Sequence, residues 1–226
     1  MPPDADPAED APLVCLITPG ETTAGTTPAS DEFLRLLALV RAAAAEGVDL
    51  VQLREKRLPA RVLYELAARS SEIVRGANSK GTRLLANDRA DIALAAGADG
   101  VQLTARSLPP ATVRRLFGPD FLIGVSTHTI EEAREAQNGG ADFALFGPVF
   151  DTPSKRAYGP PVGLERLGEV ARALAPFPLL AVGGVTRENF AATLDAGARG
   201  VAAIRLFGDA EGLQSVVSEI RGARSR

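Results

Sequence analysis

One phrase recurs four times along this chain: a glycine closing an alanine-rich stretch, a small residue beside an Asp or Arg, then a burst of aliphatic residues. The copies read Gly47-Val48-Asp49-Leu50-Val51-Gln52-Leu53, Gly97-Ala98-Asp99-Gly100-Val101-Gln102-Leu103, Gly140-Ala141-Asp142-Phe143-Ala144-Leu145-Phe146 and Gly197-Ala198-Arg199-Gly200-Val201-Ala202-Ala203-Ile204. A glycine there supplies the left-handed cap that ends a helix. An apolar run without polar alternation suits a parallel strand covered on both faces. Repetition of the unit predicts a βα array with one helix per strand.

Length decides what closes the array. The 226 residues are 46% apolar, enough for one sizeable core and short for two domains. Eight strands are predicted: Leu13–Ile17, Leu50–Leu53, Leu84–Ala86, Gly100–Leu103, Leu122–Ser126, Phe143–Phe146, Leu179–Val182 and Gly200–Ile204. Helix-period segments lie between them at Asp31–Glu46, Arg61–Asn78, Ala111–Phe117, Glu131–Asn138, Leu164–Ala175 and Glu188–Ala196, with another helix starting near Ala90. Ser30, Thr129 and Thr186 read as helix starts. The fold class is therefore α/β, a single-domain (β/α)8 TIM barrel over residues 13–222, preceded by a disordered acidic, proline-rich leader at residues 1–12. No Gly-x-Gly-x-x-Gly follows the first strand, which disfavours an open dinucleotide-binding sheet.

Composition excludes several roles. A net charge of −3 without a basic stripe gives no case for nucleic acid or a membrane surface. No apolar stretch approaches the ~20 residues that span a bilayer. The lone Cys15 cannot form an internal disulfide, and the expected location is cytoplasmic. A homo-oligomer is possible, but nothing in the sequence specifies one.

In such a barrel, chemistry sits in the loops after the carboxyl ends of the strands. After the second strand, alternation puts Gln52, Arg54 and Lys56 on one side and Leu53 and Glu55 on the other, a plausible diphosphate clamp or a surface ion pair. The third ends in Asn87-Asp88-Arg89. Asp88 suits Mg2+ bridging a diphosphate, but taken alone it reads first as a helix N-cap. The fifth runs into Ser126-Thr127-His128. His128, the single histidine, is an acid/base candidate or a structural hydrogen-bonding residue. The loop after the sixth is the longest and carries Thr152, Ser154 and Lys155, suited to a lid over a phosphorylated substrate. Gly183 and Gly184 follow the seventh strand and Arg205 the eighth, where this fold commonly binds phosphate.

Gln52-x-Arg54-x-Lys56, Asn87-Asp88-Arg89, Gly124-Val125-Ser126-Thr127-His128-Thr129, Gly147-Pro148-Val149-Phe150-x-Thr152-x-Ser154-Lys155 and Gly183-Gly184-Val185, in this order, resemble the thiamine phosphate synthase superfamily, which includes the thiazole tautomerases. The resemblance implies one of two reactions. A synthase joins hydroxymethylpyrimidine diphosphate to a thiazole phosphate and releases pyrophosphate with Mg2+. By analogy Gln52 would contact the pyrimidine, and Arg54, Lys56, Asn87, Ser126 and Lys155 the diphosphate. Asp88 would bind Mg2+, while Thr152, Ser154, Gly183 and Gly184 would receive the thiazole phosphate. A tautomerase would aromatise the thiazole without metal, using His128. A non-catalytic ligand-binding regulator is a third reading.

Two departures bear on the choice. Synthases usually place a second Mg2+-binding Asp after the fourth strand, where this chain has Ser107 within Thr104-Ala105-Arg106-Ser107, a stretch resembling the tautomerase branch. Arg205-Leu206 stands where the family commonly has a Ser and a small residue. Asp88 and the intact Gln52, Arg54 and Lys56 set favour the synthase.

Overall fold

The computed structural model describes residues 11–77, 81–152 and 160–223. Eight parallel strands close into one barrel in chain order: β1 (Leu13–Ile17), β2 (Leu50–Leu53), β3 (Arg83–Asn87), β4 (Gly100–Leu103), β5 (Leu122–Thr127), β6 (Phe143–Phe146), β7 (Leu179–Val182) and β8 (Gly200–Ala203). Around them run α1 (Asp31–Glu46), α2 (Ala60–Gly76), α3 (Ala90–Ala95), α4 (Pro110–Phe117), α5 (Ile130–Asn138), α6 (Gly163–Leu174), α7 (Phe190–Asp195) and α8 (Leu213–Gly222). Within the described residues no helix is long and apolar enough to cross a membrane. Residues 1–10 of the expected leader lie outside the described residues.

The strands lack alternation because both faces are buried. Cys15, Ile17, Leu50, Leu85, Phe143, Leu145, Leu180 and Ala202 fill the barrel interior. Val14, Leu16, Val51 and Leu53 face outward, into a layer with Phe33, Leu36 and Val40 of α1 and Leu213, Val216 and Ile220 of α8. That covering is what makes the amphipathic helices stable. α8 has no counterpart among the predicted segments.

All four glycines that open the repeated phrase are left-handed, with φ of 72° at Gly47, 68° at Gly97, 81° at Gly140 and 107° at Gly197. The acidic residue of the phrase is a pin at the amino-terminal rim. Asp49 Oδ2 accepts the Val14 N–H at 2.8 Å, Asp99 Oδ2 the Leu84 N–H at 2.8 Å and Asp142 Oδ2 the Ile123 N–H at 2.6 Å. Each carboxylate also meets a guanidinium: Arg221 at 3.1 Å, Arg83 at 3.1 Å and Arg114 at 2.7 Å respectively. In the fourth copy Arg199 reverses the polarity and bonds the Ala11 carbonyl.

The helix starts are partly corrected. Thr129 caps α5 by accepting the Glu132 N–H at 3.2 Å. Ser30 stands at the N-cap of α1, but its hydroxyl accepts from Thr27 N–H instead of a helix amide. Thr186 does not start α7. Asn189 is the N-cap residue, and its Oδ1 accepts the Thr186 N–H at 2.8 Å, so a turn precedes the helix. β8 stops at Ala203, because Arg205–Phe207 turn into a short 3-10 helix.

Candidate active site

Strand direction gathers the chosen residues at one rim. The β2–β3 register leads Gln52 and Asn87 into the mouth, where Gln52 Nε2 donates to Asn87 Oδ1 at 2.9 Å. Both are buried, and Gln52 Oε1 has no hydrogen-bond partner among the described residues. Across the barrel wall Gln102 Nε2 donates to Ser126 Oγ at 3.2 Å, again leaving a buried carbonyl oxygen without a partner. Buried amides rarely stay half-satisfied. These two are unsatisfied acceptors buried on the inner side of the rim. Gln102 was not among the sequence candidates, yet it occupies the same place in the second copy of the repeat that Gln52 holds in the first.

Asp88 follows directly, and its backbone is left-handed with φ of 62°, a conformation an Asp adopts more readily than most residues. Its alternative role as helix cap fails. Arg89 holds the N-cap position of α3, and Asp88 turns instead toward the loop after β4. There the Ser107 hydroxyl bonds Asp88 Oδ1, and the Thr104 hydroxyl lies 3.4 Å from the same oxygen. Asn87 Nδ2 donates to Asp88 Oδ2 at 3.1 Å. Arg89 leaves the mouth altogether and forks onto Asp91 at 2.8 and 2.6 Å, which holds the Asp91 carboxyl below its ordinary range.

One carboxylate with hydroxyl neighbours is a poor all-protein cage, and no group of three or more metal-binding side chains exists among the described residues. It does fit Mg2+, which keeps several waters and binds through one or two carboxylates plus substrate phosphates. The donor set thus suits a cation that arrives with a diphosphate.

The remaining rim residues link loop to loop. His128 is exposed, and its Nδ1 bonds the Gly147 carbonyl across β5 and β6. Gly183 and Gly184 have φ of 92° and 68°, and a Cβ on either would come within 2.5 Å of Pro148 or 2.7 Å of Phe150. Their first structural role is to admit the loop after β6, whose Phe150 N–H bonds the Gly183 carbonyl at 3.0 Å. Thr152 of that loop is buried. Ser154 and Lys155 lie outside the described residues. Arg205 is exposed in the turn after β8, and Lys56 and half-buried Arg54 flank a buried Glu55.

Comparison with known proteins agrees with this fold. The thiamine monophosphate synthase family model matches residues 24–207. A thiamine-phosphate synthase of Moorella thermoacetica is 42% identical over 193 residues, covering 82% of this chain and 90% of that protein. One from Methanoculleus marisnigri is 47% identical over 166 residues, covering 74% and 77%. The structure of a thiamine phosphate pyrophosphorylase from Pyrococcus furiosus superimposes with a TM-score of 0.75 at 28% identity, covering 94% and 98%. The chain belongs to the thiamine monophosphate synthase family.

Proposed function

We propose that this protein is a thiamine phosphate synthase that condenses hydroxymethylpyrimidine diphosphate with thiazole phosphate, giving thiamine phosphate and pyrophosphate. The observation that carries the reading is convergence. Gln52, Asn87, Asp88, Ser126, Thr152, Gly183 and Gly184 come from five strand ends and share one rim. The family's synthase names support the same reading, and the tautomerase alternative is not favoured by them.

In this assignment the pyrimidine lies against Gln52, whose buried carbonyl oxygen awaits a donor such as a ring amine. Arg54, Lys56, Asn87, Ser126 and Lys155 hold the diphosphate, and Asp88 holds Mg2+ with it. When bound, Mg2+ supplies charge neutralisation for the leaving diphosphate. Thr152, Ser154 and the Gly183 and Gly184 amides receive the thiazole phosphate, with Arg205 near its edge. The carbon–oxygen bond breaks with its electron pair leaving on pyrophosphate, and the thiazole nitrogen lone pair forms the new carbon–nitrogen bond. The side chains align the partners and stabilise developing negative charge, the two contributions that positioning and preorganised donors make best.

His128 needs no proton-transfer role here. Its ring ties the β5 and β6 ends together through Gly147. The test is pyrophosphate release from the two substrates with Mg2+ present, abolished by Asp88→Ala. Thiazole carboxylate isomerisation that persists in EDTA and vanishes with His128→Ala would replace the synthase reading with the tautomerase one.

A further inference from the structure

Glu55 takes no part in the assignment above, yet it is among the least exposed charged groups of the described residues, at 2%. It lies between Arg54 and Lys56 and points away from the mouth into the loop after β1. There its Oε1 accepts the Thr18 hydroxyl at 2.7 Å and the Gly20 N–H at 3.0 Å. Its Oε2 accepts the Thr22 hydroxyl at 2.6 Å and the Thr22 N–H at 3.3 Å. Burying a carboxylate is costly unless its lone pairs are taken up, and here four donors do so.

The same contacts reach Arg54. Thr18 donates to Glu55 through its hydroxyl hydrogen while its oxygen accepts the Arg54 N–H at 2.8 Å, so the three groups form a relay. Gly20 is left-handed with φ of 77°, and a Cβ there would lie 3.0 Å from Arg54 Nη1 and 3.1 Å from the Arg54 carbonyl. The loop backbone is thus pressed against the Arg54 side chain. Arg57 Nη2 closes the far side by donating to the Glu21 carbonyl at 3.3 Å.

We propose that Glu55 is a positioning residue. By fastening Thr18, Gly20 and Thr22, it makes the β1 loop a wall that sets the direction of Arg54 and the path of the main chain into Lys56. The proposal rests on the reading of Arg54 and Lys56 as diphosphate ligands. A glutamine cannot replace Glu55. Hydroxyls can rotate to accept, but one amide orientation sets an NH2 against the Gly20 N–H and the other against the Thr22 N–H.

The test is calorimetric binding of inorganic pyrophosphate with Mg2+ present, paired with separate KM and kcat values for the two substrates and a melting curve. Glu55→Gln should weaken pyrophosphate and raise KM for the pyrimidine diphosphate by about tenfold or more, the scale expected when a binding group is misplaced by less than an ångström. KM for the thiazole phosphate should change by less than about twofold, since that subsite lies across the mouth and is untouched by the relay. Thr18→Val and Thr22→Val should act in the same direction, and Thr18→Ser and Thr22→Ser should restore binding. The valine and serine pairs decide the matter if Glu55→Gln does not fold.

Unchanged pyrophosphate affinity in folded Glu55→Gln, while Arg54→Ala weakens it, overturns the proposal and leaves the diphosphate reading standing. Equal loss at both substrates with a lowered Tm assigns Glu55 to stability alone and also overturns it. If Arg54→Ala and Lys56→Ala themselves leave pyrophosphate binding unchanged, the diphosphate reading fails, and the proposal with it.

Discussion

Asp88 at the end of β3 is held by the hydroxyl of Ser107 from the end of β4, and Ser107 is in turn fixed because its Oγ accepts the Thr104 N–H at 2.7 Å. A neutral donor therefore steadies the carboxylate proposed for Mg2+, in the place where the family resemblance leads one to expect a second carboxylate. The arrangement orients Asp88 without adding charge, so under the proposed function its cation affinity would depend on the diphosphate that arrives with the ion.

Ser107→Asp should add that charge. The Mg2+ concentration giving half-maximal pyrophosphate release should fall severalfold, and Mg2+ binding without substrate should become measurable by calorimetry. Asp88→Ala should abolish the metal response at any Mg2+ concentration. A Ser107→Asp midpoint equal to the parent's would separate the two loops functionally.

Asp142 carries no expected chemistry and pins β5 through the Ile123 N–H. Asp142→Ala leaves that amide and Arg114 without their charged partner. A hydrogen bond to a charged group contributes about 2 kcal/mol, so Tm should fall by about 5 °C in a chain of this size. Calorimetry or circular dichroism reads the shift, and kcat should stay at the parent value, because the contact lies at the opposite rim from the site.

Glycine substitutions should divide by position. A Cβ on Gly200 would lie 2.1 Å from the Leu13 carbonyl oxygen, inside the β1–β8 ladder, whereas one on Gly76 meets nothing within 4 Å. Gly200→Ala should destabilise by about 3 kcal/mol or more. Gly76→Ala, at the end of α2, should be neutral or stabilising by about 0.5 kcal/mol. Urea unfolding midpoints of the two variants supply the comparison.

Cys15 sits inside the barrel with no exposed surface, and burial, reinforced by the nearby Asp49 charge, pushes its thiol well above the ordinary 9.0. The folded protein should not react with Ellman's reagent at neutral pH, and one thiol should appear on unfolding. Because the folded value is raised, this group's share of stability is complete below about pH 9 and declines as alkali ionises the unfolded thiol first. Cys15→Ser should flatten the alkaline limb of Tm against pH.

The repeated phrase made the strands legible because helix stop and buried strand are local properties of the chain. The left-handed φ of Gly47, Gly97, Gly140 and Gly197 needs no distant partner to be inferred. Several boundaries slipped by a residue or two, the helix Leu213–Gly222 was missed, and a tertiary turn moved the starts and stops near Thr186 and Arg205. The site was legible as a set of strand ends, since a barrel brings those ends together whatever its loops do.

Which atom faces which depended on closure. Alternation put Glu55 on the side opposite Arg54, but nothing local says that Thr18 and Thr22, over thirty residues earlier, would surround its carboxylate. The same spacing could not tell whether Asp88 would cap α3 or turn to Ser107, because both need only a short acidic side chain at a strand end. Local chain chemistry thus settled that eight strands form and, to within a residue, where each stops. Strand register and the packing of neighbouring loops settled which polar groups touch, because hydrogen bonds act over about 3 Å and only the closed barrel brings residues so far apart in sequence within that range.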